Sequence, residues 1–483
     1  MESQELTIQS DIDINLNRLK EQFTDAPDFT IKSFQFKCDG QNAFVAYLYG
    51  IVDEKKLFDR VLKPLIFEAS DKGQVNSIIL SSLIKQTSKW QDVQTAILKG
   101  SSVLFVDGEV RAYLLKTASW PSEEVKEPQN ELSLLGSRTG FTDSADTNIA
   151  LIRHYFPDIQ LSMKNFIIGS NHTKATIAYL SSKADPQAVE ELSNRIQKVN
   201  TEGIMNTREL VEQLEDQNFS LFPQLLVTER PDVTASALME GKIAVLTDHS
   251  SHVLIGPMTF LSFFLSIDDV NLRWPIVTFQ RMLRFIGLLI AVFLPSIYIA
   301  TVSFHYEIIP IDLVLSIGKS LERVPIPPIL EALFMELLLE MLREASLRLP
   351  PKVGQSVGIV GGIVIGQAAV EAGIVSNVMV IVVALTAIAS FIQPNQDMAA
   401  AIRMLRFPFM IAAYLLGLVG IVIGIMILAV HIISLQSLKY PYGSPLFPVR
   451  IKDWKQMIAR FPRHGFHSRV RKSKPHDANS EQP

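Results

Sequence analysis

The sequence predicts an α/β domain followed by an α-helical membrane domain, and the first observation behind this prediction is how charge is distributed along the chain. Up to about residue 274, charged residues are frequent and apolar runs have the length of single strands or helices. Between residues 285 and 435, long apolar stretches are free of charge. A membrane span requires about 20 predominantly apolar residues, so this region is expected to hold several membrane helices.

A second observation is a repeat within the first region. Residues 44–67 and 175–199 share one outline, in which an apolar strand ends at an aspartate and a helical pattern follows. Asp53 and Asp185 suit the N-cap of the following helix, and Pro186 suits its first turn. Each copy therefore predicts a strand–helix unit with a defined helix start.

Each copy then closes with two strands joined by a turn, at Asp107-Gly108 and at residues 248–251. We predict two similar α/β subdomains at 40–117 and 165–256. Because any two strand–helix units look alike, the same pattern also fits two unrelated units of one fold class.

The remaining segments are assigned from composition. They are an N-terminal helical or frayed segment (1–39), a linker and connector (118–164), a juxtamembrane segment (257–284), the membrane domain (285–435) and a basic cytoplasmic tail (436–483).

Four stretches of the membrane domain are long and apolar enough to be predicted spans: 285–304, 353–372, 374–392 and 407–435. Arg281 and Arg284 precede the first, which favours the cytoplasmic side for that end. An even number of spans places both termini in the cytoplasm. This agrees with an N-terminus that lacks the pattern of a signal peptide.

Residues 327–349 predict an amphipathic helix, because Glu336, Glu340 and further charges gather on one helical face. A helix in the membrane interface, or packed against other protein, suits this pattern better than a lipid-facing span. Arg403 and Arg406 then fall in an outer loop, against the positive-inside rule. Treating the helix as a fifth span removes that conflict but places the basic tail outside.

The tail carries ten Lys or Arg against three Asp or Glu, a net charge of +7 in a chain whose total is −4. Such a tail beside a hydrophobic span is typical of the cytoplasmic side and attracts anionic lipid. The membrane is a closer anionic surface than nucleic acid, so we predict no nucleic-acid role. The single cysteine, Cys38, excludes an internal disulfide.

The motifs of catalysis and cofactor binding are absent from the sequence, which has no GxxxxGK[ST], HExxH or GxSxG and no GxGxxG after a strand. Gly318-Lys319-Ser320 resembles only the end of a P-loop. His249 and His252 have a spacing that suits a metal on a helix, but they flank a predicted turn. We therefore predict no catalytic, cofactor or metal site and no enzymatic activity.

The most informative segment is a glycine-rich helix within the second predicted span. Gly354, Gly358, Gly362 and Gly366 recur every four residues, as overlapping GxxxG patterns. In lipid, small residues at this spacing let helix backbones approach closely. We predict that these four glycines form a helix-packing edge.

The opposite face of the same helix is centred on five residues that we predict to line a pore: Val357, Val360, Val364, Gln367 and Glu371. Several copies around an axis would form an apolar constriction with an acidic ring that favours cations. The alternative is that Glu371 lies at the membrane surface before a turn, with the glycines packing inside one subunit.

Several strings of the sequence resemble the A subunit of GerA-type spore germinant receptors. They are DTNIALIR (146–153), FPQ (222–224), TERPD (228–232), PIPPILEALFME (325–336), LREASLRLP (342–350) and GQAAVE (366–371). They occur in the family's order, and the resemblance runs from about residue 146 to residue 442.

This resemblance implies a nutrient-receptor component in the inner membrane of bacterial spores. It implies a transporter-like, nutrient-binding B subunit and a lipoprotein C subunit as partners. It also implies that A subunits self-associate into a homo-oligomer and conduct cations when nutrient binds, with the glycine-rich segment at the pore. The nutrient itself is not implied.

Two other functions remain open. The chain is an anchored scaffold if its α/β domain binds partners and the spans conduct nothing. A secondary transporter fits less well, because no inverted repeat is seen in the spans.

Overall fold

The computed structural model of the protein describes residues 7–37, 40–68, 84–120, 127–128, 131, 136–199 and 203–447, so Cys38 and most of the basic tail lie outside it. The chain divides into two compact units. The described residues of Met1–Asn218, Leu225–Met258 and Ser437–Tyr440 form the α/β unit, and those of Phe219–Gln224, Thr259–Gln436 and Pro441–Pro483 form the helical unit.

The first part of the α/β unit is a five-stranded antiparallel sheet with the strand order β1-β2-β4-β5-β3. Its elements are α1 (Ile12–Gln22), β1 (Phe29–Gln35), β2 (Asn42–Leu48), α2 (Glu54–Leu57) with the π-helical turns Phe58–Leu62 and Pro64–Glu68, β3 (Ile84–Thr87), α3 (Trp90–Leu98), β4 (Ser102–Val106) and β5 (Ala112–Leu115).

A second five-stranded antiparallel sheet follows, in the order β6-β7-β9-β10-β8. Its elements are α4 (Ala145–Tyr155), β6 (Leu161–Ile168), β7 (Thr173–Leu180), α5 (Pro186–Lys198), α6 (Thr207–Leu214), β8 (Leu226–Thr228), α7 (Pro231–Met239), β9 (Ile243–Thr247) and β10 (Val253–Gly256). Both sheets connect their strands in the same order, which confirms an α/β domain built from two similar halves.

Both sheets begin before the boundaries expected from the sequence. β1 lies within segment 1–39, which was expected to be helical or frayed. α4 lies within the linker 118–164, and β6 begins in that linker and continues past residue 164. β1 is an edge strand and none of its residues is fully buried. Its polar residues therefore hide the alternation by which half-buried strands are identified.

The local signals of helix starts and turns are confirmed. The Asp53 carboxylate accepts the N–H of Lys56 at 2.8 Å, and the Asp185 carboxylate accepts the N–H of Gln187 at 2.9 Å. Gly108, with φ of +82°, lies in the turn between β4 and β5. Such a turn requires a left-handed backbone, which glycine adopts without strain.

Apolar residues cover both faces of the first sheet. Leu19, Trp90 and Val93 pack with alternate strand residues on one face, and Leu57 and Val61 pack with the others on the second face. A strand buried on both faces is a continuous apolar run, which explains why β2 and β4 are so apolar.

The helical unit begins with a 3₁₀ turn, Phe260–Phe264. Its helices are α8 (Asp268–Asn271), α9 (Trp274–Phe304), α10 (Ile311–Leu321), α11 (Pro328–Leu347), α12 (Pro351–Glu371), α13 (Asn377–Phe391), α14 (Gln396–Leu416) and α15 (Leu418–Ser434), with a further 3₁₀ turn at Tyr306–Ile308. The two-residue strands β11 (Gln436–Ser437) and β12 (Tyr440–Pro441) follow. By length and composition, α9 and α14 are able to cross a membrane, while α13 and α15 are shorter apolar helices.

The stretch 407–435, expected to be one span, is two helices. α14 ends at Leu416 and α15 starts at Leu418, because Gly417 takes φ of +60°, a conformation that other residues rarely adopt. The two helices form an antiparallel hairpin, in which Gly420 lies against Ala412 and Gly424 against the ring of Phe409. A hydropathy pattern has no signal for such a turn inside an apolar run.

Candidate functional site

The predicted pore helix is α12, and its glycine edge packs inside this chain. A side chain at Gly354 would collide with the carbonyl oxygen of Ser346 in α11, and one at Gly358 would lie 3.3 Å from the Ser346 hydroxyl. Gly366 approaches Val380 of α13 at 3.7 Å, whereas nothing lies within 4 Å of Gly362. Three of the four glycines thus lie against neighbouring helices.

Gly361 is a close contact that the four-residue spacing missed. A Cβ there would lie 3.0 Å from the Leu342 side chain of α11. The adjacent pair Gly361-Gly362 was the available signal, because two small residues in succession widen the face on which a neighbouring helix is able to pack.

The described part of the predicted pore face is exposed. Val364 is 59% exposed, and Gln367 and Glu371 are also exposed. The Gln367 side-chain amide donates to the Glu371 carboxylate at 2.8 Å, which brings the two polar ends of this face together. The side chains of Val357 and Val360 lie outside the part of the chain that the structure describes.

The charged face of α11 packs against α14. Glu336 is fully buried and forms an ion pair with Arg406, and Glu340 pairs with Arg403 at 2.8 Å. The two arginines therefore lie in a helix and are neutralised there, which corrects the expectation that they fall in an outer loop.

The apolar face of α11 is exposed. Leu330, Phe334, Leu337 and Met341 are between 39% and 60% exposed. Of the charged residues of this helix, Glu336 and Glu340 lie on the packed side, while Glu344 is exposed. In this arrangement, charges are turned inward and apolar side chains outward, the reverse of a helix on a water-soluble protein.

Glu331, at the start of α11, is a buried carboxylate that sequence reasoning did not single out. It accepts the N–H of Ser376 at 2.7 Å, and the Ser376 hydroxyl accepts the N–H of Met379 to cap α13. A carboxylate at a helix N-terminus is stabilised by the unpaired N–H groups and the helix dipole. Glu331 therefore joins the first turns of α11 and α13.

A further buried cluster lies at the start of α9. Asp269 is 2% exposed and pairs with Arg281 at 2.8 Å and with Arg284 at 2.9 Å. Gln393 also donates to the carbonyl of Arg284 at 3.1 Å, which links α9 to the end of α13. The two arginines were expected as charges before the first span, but their aspartate partner was not.

The two turn histidines lie in different surroundings. His252 lies 3.2 Å from the Glu229 carboxylate, and His249 occupies the turn with φ of +62°. Among the described residues, no group of three or more His, Cys, Asp or Glu is arranged to hold a metal.

The string Gly318-Lys319-Ser320, which resembles the end of a P-loop, lies at the end of α10. The Ser320 hydroxyl accepts the N–H of Asn377 at 3.2 Å.

Comparison with known proteins gives consistent matches. The family described as "Bacillus/Clostridium GerA spore germination protein" matches residues 17–472. The uncharacterized membrane protein YfkQ of Bacillus subtilis is 37% identical over 95% of this chain and 91% of its own length. Spore germination protein KA of the same organism is 36% identical over 93% of this chain and 84% of its own.

The solved structures that match include the N-terminal domain of the A subunit of the Bacillus megaterium spore germinant receptor GerK3. It is 27% identical, covers 53% of this chain and 99% of its own, and has a TM-score of 0.43.

Two helices of spanning length, together with relatives of this kind, indicate that the protein associates with a membrane. The family match covers nearly the whole chain, and the relatives are similar over almost their full lengths. The protein therefore belongs to the GerA family, the A-subunit family of spore germinant receptors.

Proposed function

We propose that this chain is the A subunit of a nutrient receptor in the spore inner membrane, where it oligomerises into a cation-conducting pore that opens when nutrient binds. The observation that carries the proposal is the two-sided character of α12. One edge is packed against α11, while Val364, Gln367 and Glu371 are exposed on a helix of apolar composition.

The exposed carboxylate argues for an aqueous path. Charged side chains on membrane helices face a bundle interior or water, because exposing them to lipid costs up to about 2.5–3.5 kcal/mol at the bilayer centre on insertion scales. Several copies of α12 around one axis would remove Glu371 from lipid. They would also form a ring of carboxylates that favours cations over anions.

The contacts among the helices support six crossings in place of four. α11 pairs antiparallel with α14, and α14 and α15 form a hairpin. With α9, α12 and α13 as the other crossings, both termini stay on the cytoplasmic side. Arg348, at the end of α11, and Lys352, in the first turn of α12, then also lie inside, in agreement with the positive-inside rule.

The partners follow from the family context. Germinant receptor A subunits act with B and C subunits, and we propose that a transporter-like B subunit binds the nutrient and a lipoprotein C subunit completes the complex. Nutrient binding would then change the packing between α11 and α12 and widen the valine constriction. The family consists of receptor subunits and not of known enzymes, so no catalytic step is proposed.

Conductance measurements test the proposal on the reconstituted complex. Nutrient should evoke a monovalent-cation current, and Glu371→Gln should lower the cation-to-anion permeability ratio because the ring loses its charge. Val364→Ala should increase current without nutrient. Glu344→Gln is the matched control, since Glu344 is an exposed carboxylate paired with Arg348 on α11.

Currents that Glu371→Gln and Val364→Ala leave unchanged would place α12 away from the conduction path. A complex that binds nutrient without any current would support the scaffold function instead.

A further inference from the structure

We propose that the loop tip Phe219–Leu221 is a membrane anchor whose two apolar side chains insert into the headgroup layer of the bilayer beside the end of α15. This inference rests on the proposed membrane location of the helical unit. It assigns a lipid-binding role to residues outside the predicted spans.

The loop exposes apolar side chains on a segment of the helical unit. Phe219 has the solvent exposure of a free side chain, at 105%, and Leu221 is 49% exposed. Both belong to Phe219–Gln224, a short segment that clusters with the helical unit although the chain on either side belongs to the α/β unit. Removing an apolar side chain from water is favourable, so a phenylalanine on a loop tip gains this free energy only when an apolar surface covers it.

The base of the loop is fixed in position. Phe222 is buried, and its ring centroid lies 5.6 Å from that of Phe260 and 6.1 Å from that of His431. The Ser220 hydroxyl lies 3.0 Å from His431 Nε2 and accepts the N–H of Phe222 at 3.1 Å. These contacts hold Phe219 and Leu221, the neighbours of Ser220, at the level of the last turn of α15.

That level is where α15 stops being apolar. From Leu418 to Val430 the helix has no polar side chain, and His431 is its first polar residue. Ile427, one turn before His431, and Val430, directly before it, are both 66% exposed. A helix with this composition enters the headgroup layer at its first polar residues, where amphipathic and aromatic side chains concentrate.

Lipid is the occupant that these observations favour. The exposed apolar surface of α15 ends at His431, and Ser220 contacts that same histidine between two exposed apolar neighbours. A bilayer that covers Val430 therefore has its headgroup layer beside Phe219 and Leu221. Burying the loop in another protein would require a partner surface that meets the chain at the edge of the bilayer.

The test uses an environment-sensitive fluorophore on the full-length protein in phospholipid vesicles, in a Cys38→Ser background. The reporter is attached to Phe219→Cys, with Leu221→Cys as a second reporter. Nitroxide groups placed near the lipid headgroup should quench both, with a blue-shifted emission and loss of quenching by aqueous iodide. Met205→Cys is the matched control, since Met205 is 73% exposed and belongs to the α/β unit, so iodide and not lipid should quench it.

A reporter at Val430→Cys distinguishes failure of the loop anchor from failure of the membrane location of the helical unit. If lipid nitroxide quenches Val430 but iodide quenches Phe219 and Leu221 as strongly as Met205, the anchor is wrong while the membrane location stands. If the loop reporters are shielded from both quenchers, protein covers them and the lipid assignment is wrong. If Val430 itself is not quenched by lipid, the membrane location fails and the anchor with it.

Discussion

The two units of the chain place charged and apolar side chains in opposite ways. In the α/β unit, apolar residues fill cores on the sheet faces, and most charged residues are exposed, with the buried Arg153 and Arg230, each paired to an aspartate, as exceptions. In the helical unit, Glu331, Glu336, Arg406 and Asp269 are buried, while whole faces of the helices expose leucine, isoleucine and valine.

The difference shows one rule acting in two solvents. Removing apolar surface from water lowers the free energy, so the α/β unit buries its hydrophobic residues. Lipid is as apolar as leucine, so apolar side chains gain little by turning inward, and charges turn inward to find partners. Buried ion pairs are therefore expected to matter more in the helical unit than apolar packing does.

The largest expected effect comes from breaking a buried pair. Glu336→Leu leaves Arg406 buried without its main partner, and we expect the free energy of unfolding to fall by about 3–5 kcal/mol. Denaturant unfolding in mixed micelles measures this. The double variant Glu336→Leu/Arg406→Leu should recover most of the loss, because no charge is then left unpaired.

Glu344→Gln is the control for that experiment, since its pair with Arg348 is exposed and should contribute about 0–1 kcal/mol. A double variant as unstable as the single one would mean that the pair is not an independent unit.

The next effect tests the two solvents directly. Ile427 in α15 and Ile167 in β6 are exposed to similar degrees, at 66% and 74%. Ile427→Lys should lower membrane insertion by less than the roughly 2.5–3.5 kcal/mol that a charge costs at the bilayer centre, because Ile427 lies one helical turn before the polar end of α15 at His431. Ile167→Lys should change stability by no more than about 0.5 kcal/mol, because that face is already in water.

The fraction of protein that stays in carbonate-washed membranes measures insertion for both variants, and unfolding measures stability. Equal behaviour of the two variants would contradict the assignment of different solvents to the two units.

The smallest effect concerns the glycine edge of α12. Gly354→Ala should destabilise the helical unit by about 1–3 kcal/mol, since the methyl group meets a backbone oxygen that has no room to move. Gly362→Ala should be neutral or stabilising by up to about 1 kcal/mol in the dissociated protomer, because open space surrounds it and alanine favours helix.

Thermal unfolding of the dissociated protomer compares the two. A loss of oligomer on Gly362→Ala alone would assign that glycine to contacts between subunits.

Local signals allowed much of the α/β unit to be predicted. Asp53, Asp185 and Gly108 act through neighbours a few residues away, so their roles can be inferred from short stretches of sequence. The edge strand β1 was not predicted, because its burial depends on a partner strand and not on its own residue pattern. The two faces of α12 were inferred from spacing alone, but the contact of Gly361 with Leu342 depends on how α11 is turned.

Short stretches of sequence were enough to predict the division into an α/β part and an apolar helical part, the repeat and the helix starts. These follow from composition and from periods of two and 3.6 residues. Short stretches of sequence could not predict that Arg403 and Arg406 pair with glutamates of α11 or that one apolar run folds back at Gly417. An ion pair requires two segments that are distant in sequence to pack together, and the local sequence of one segment does not indicate where the other will lie.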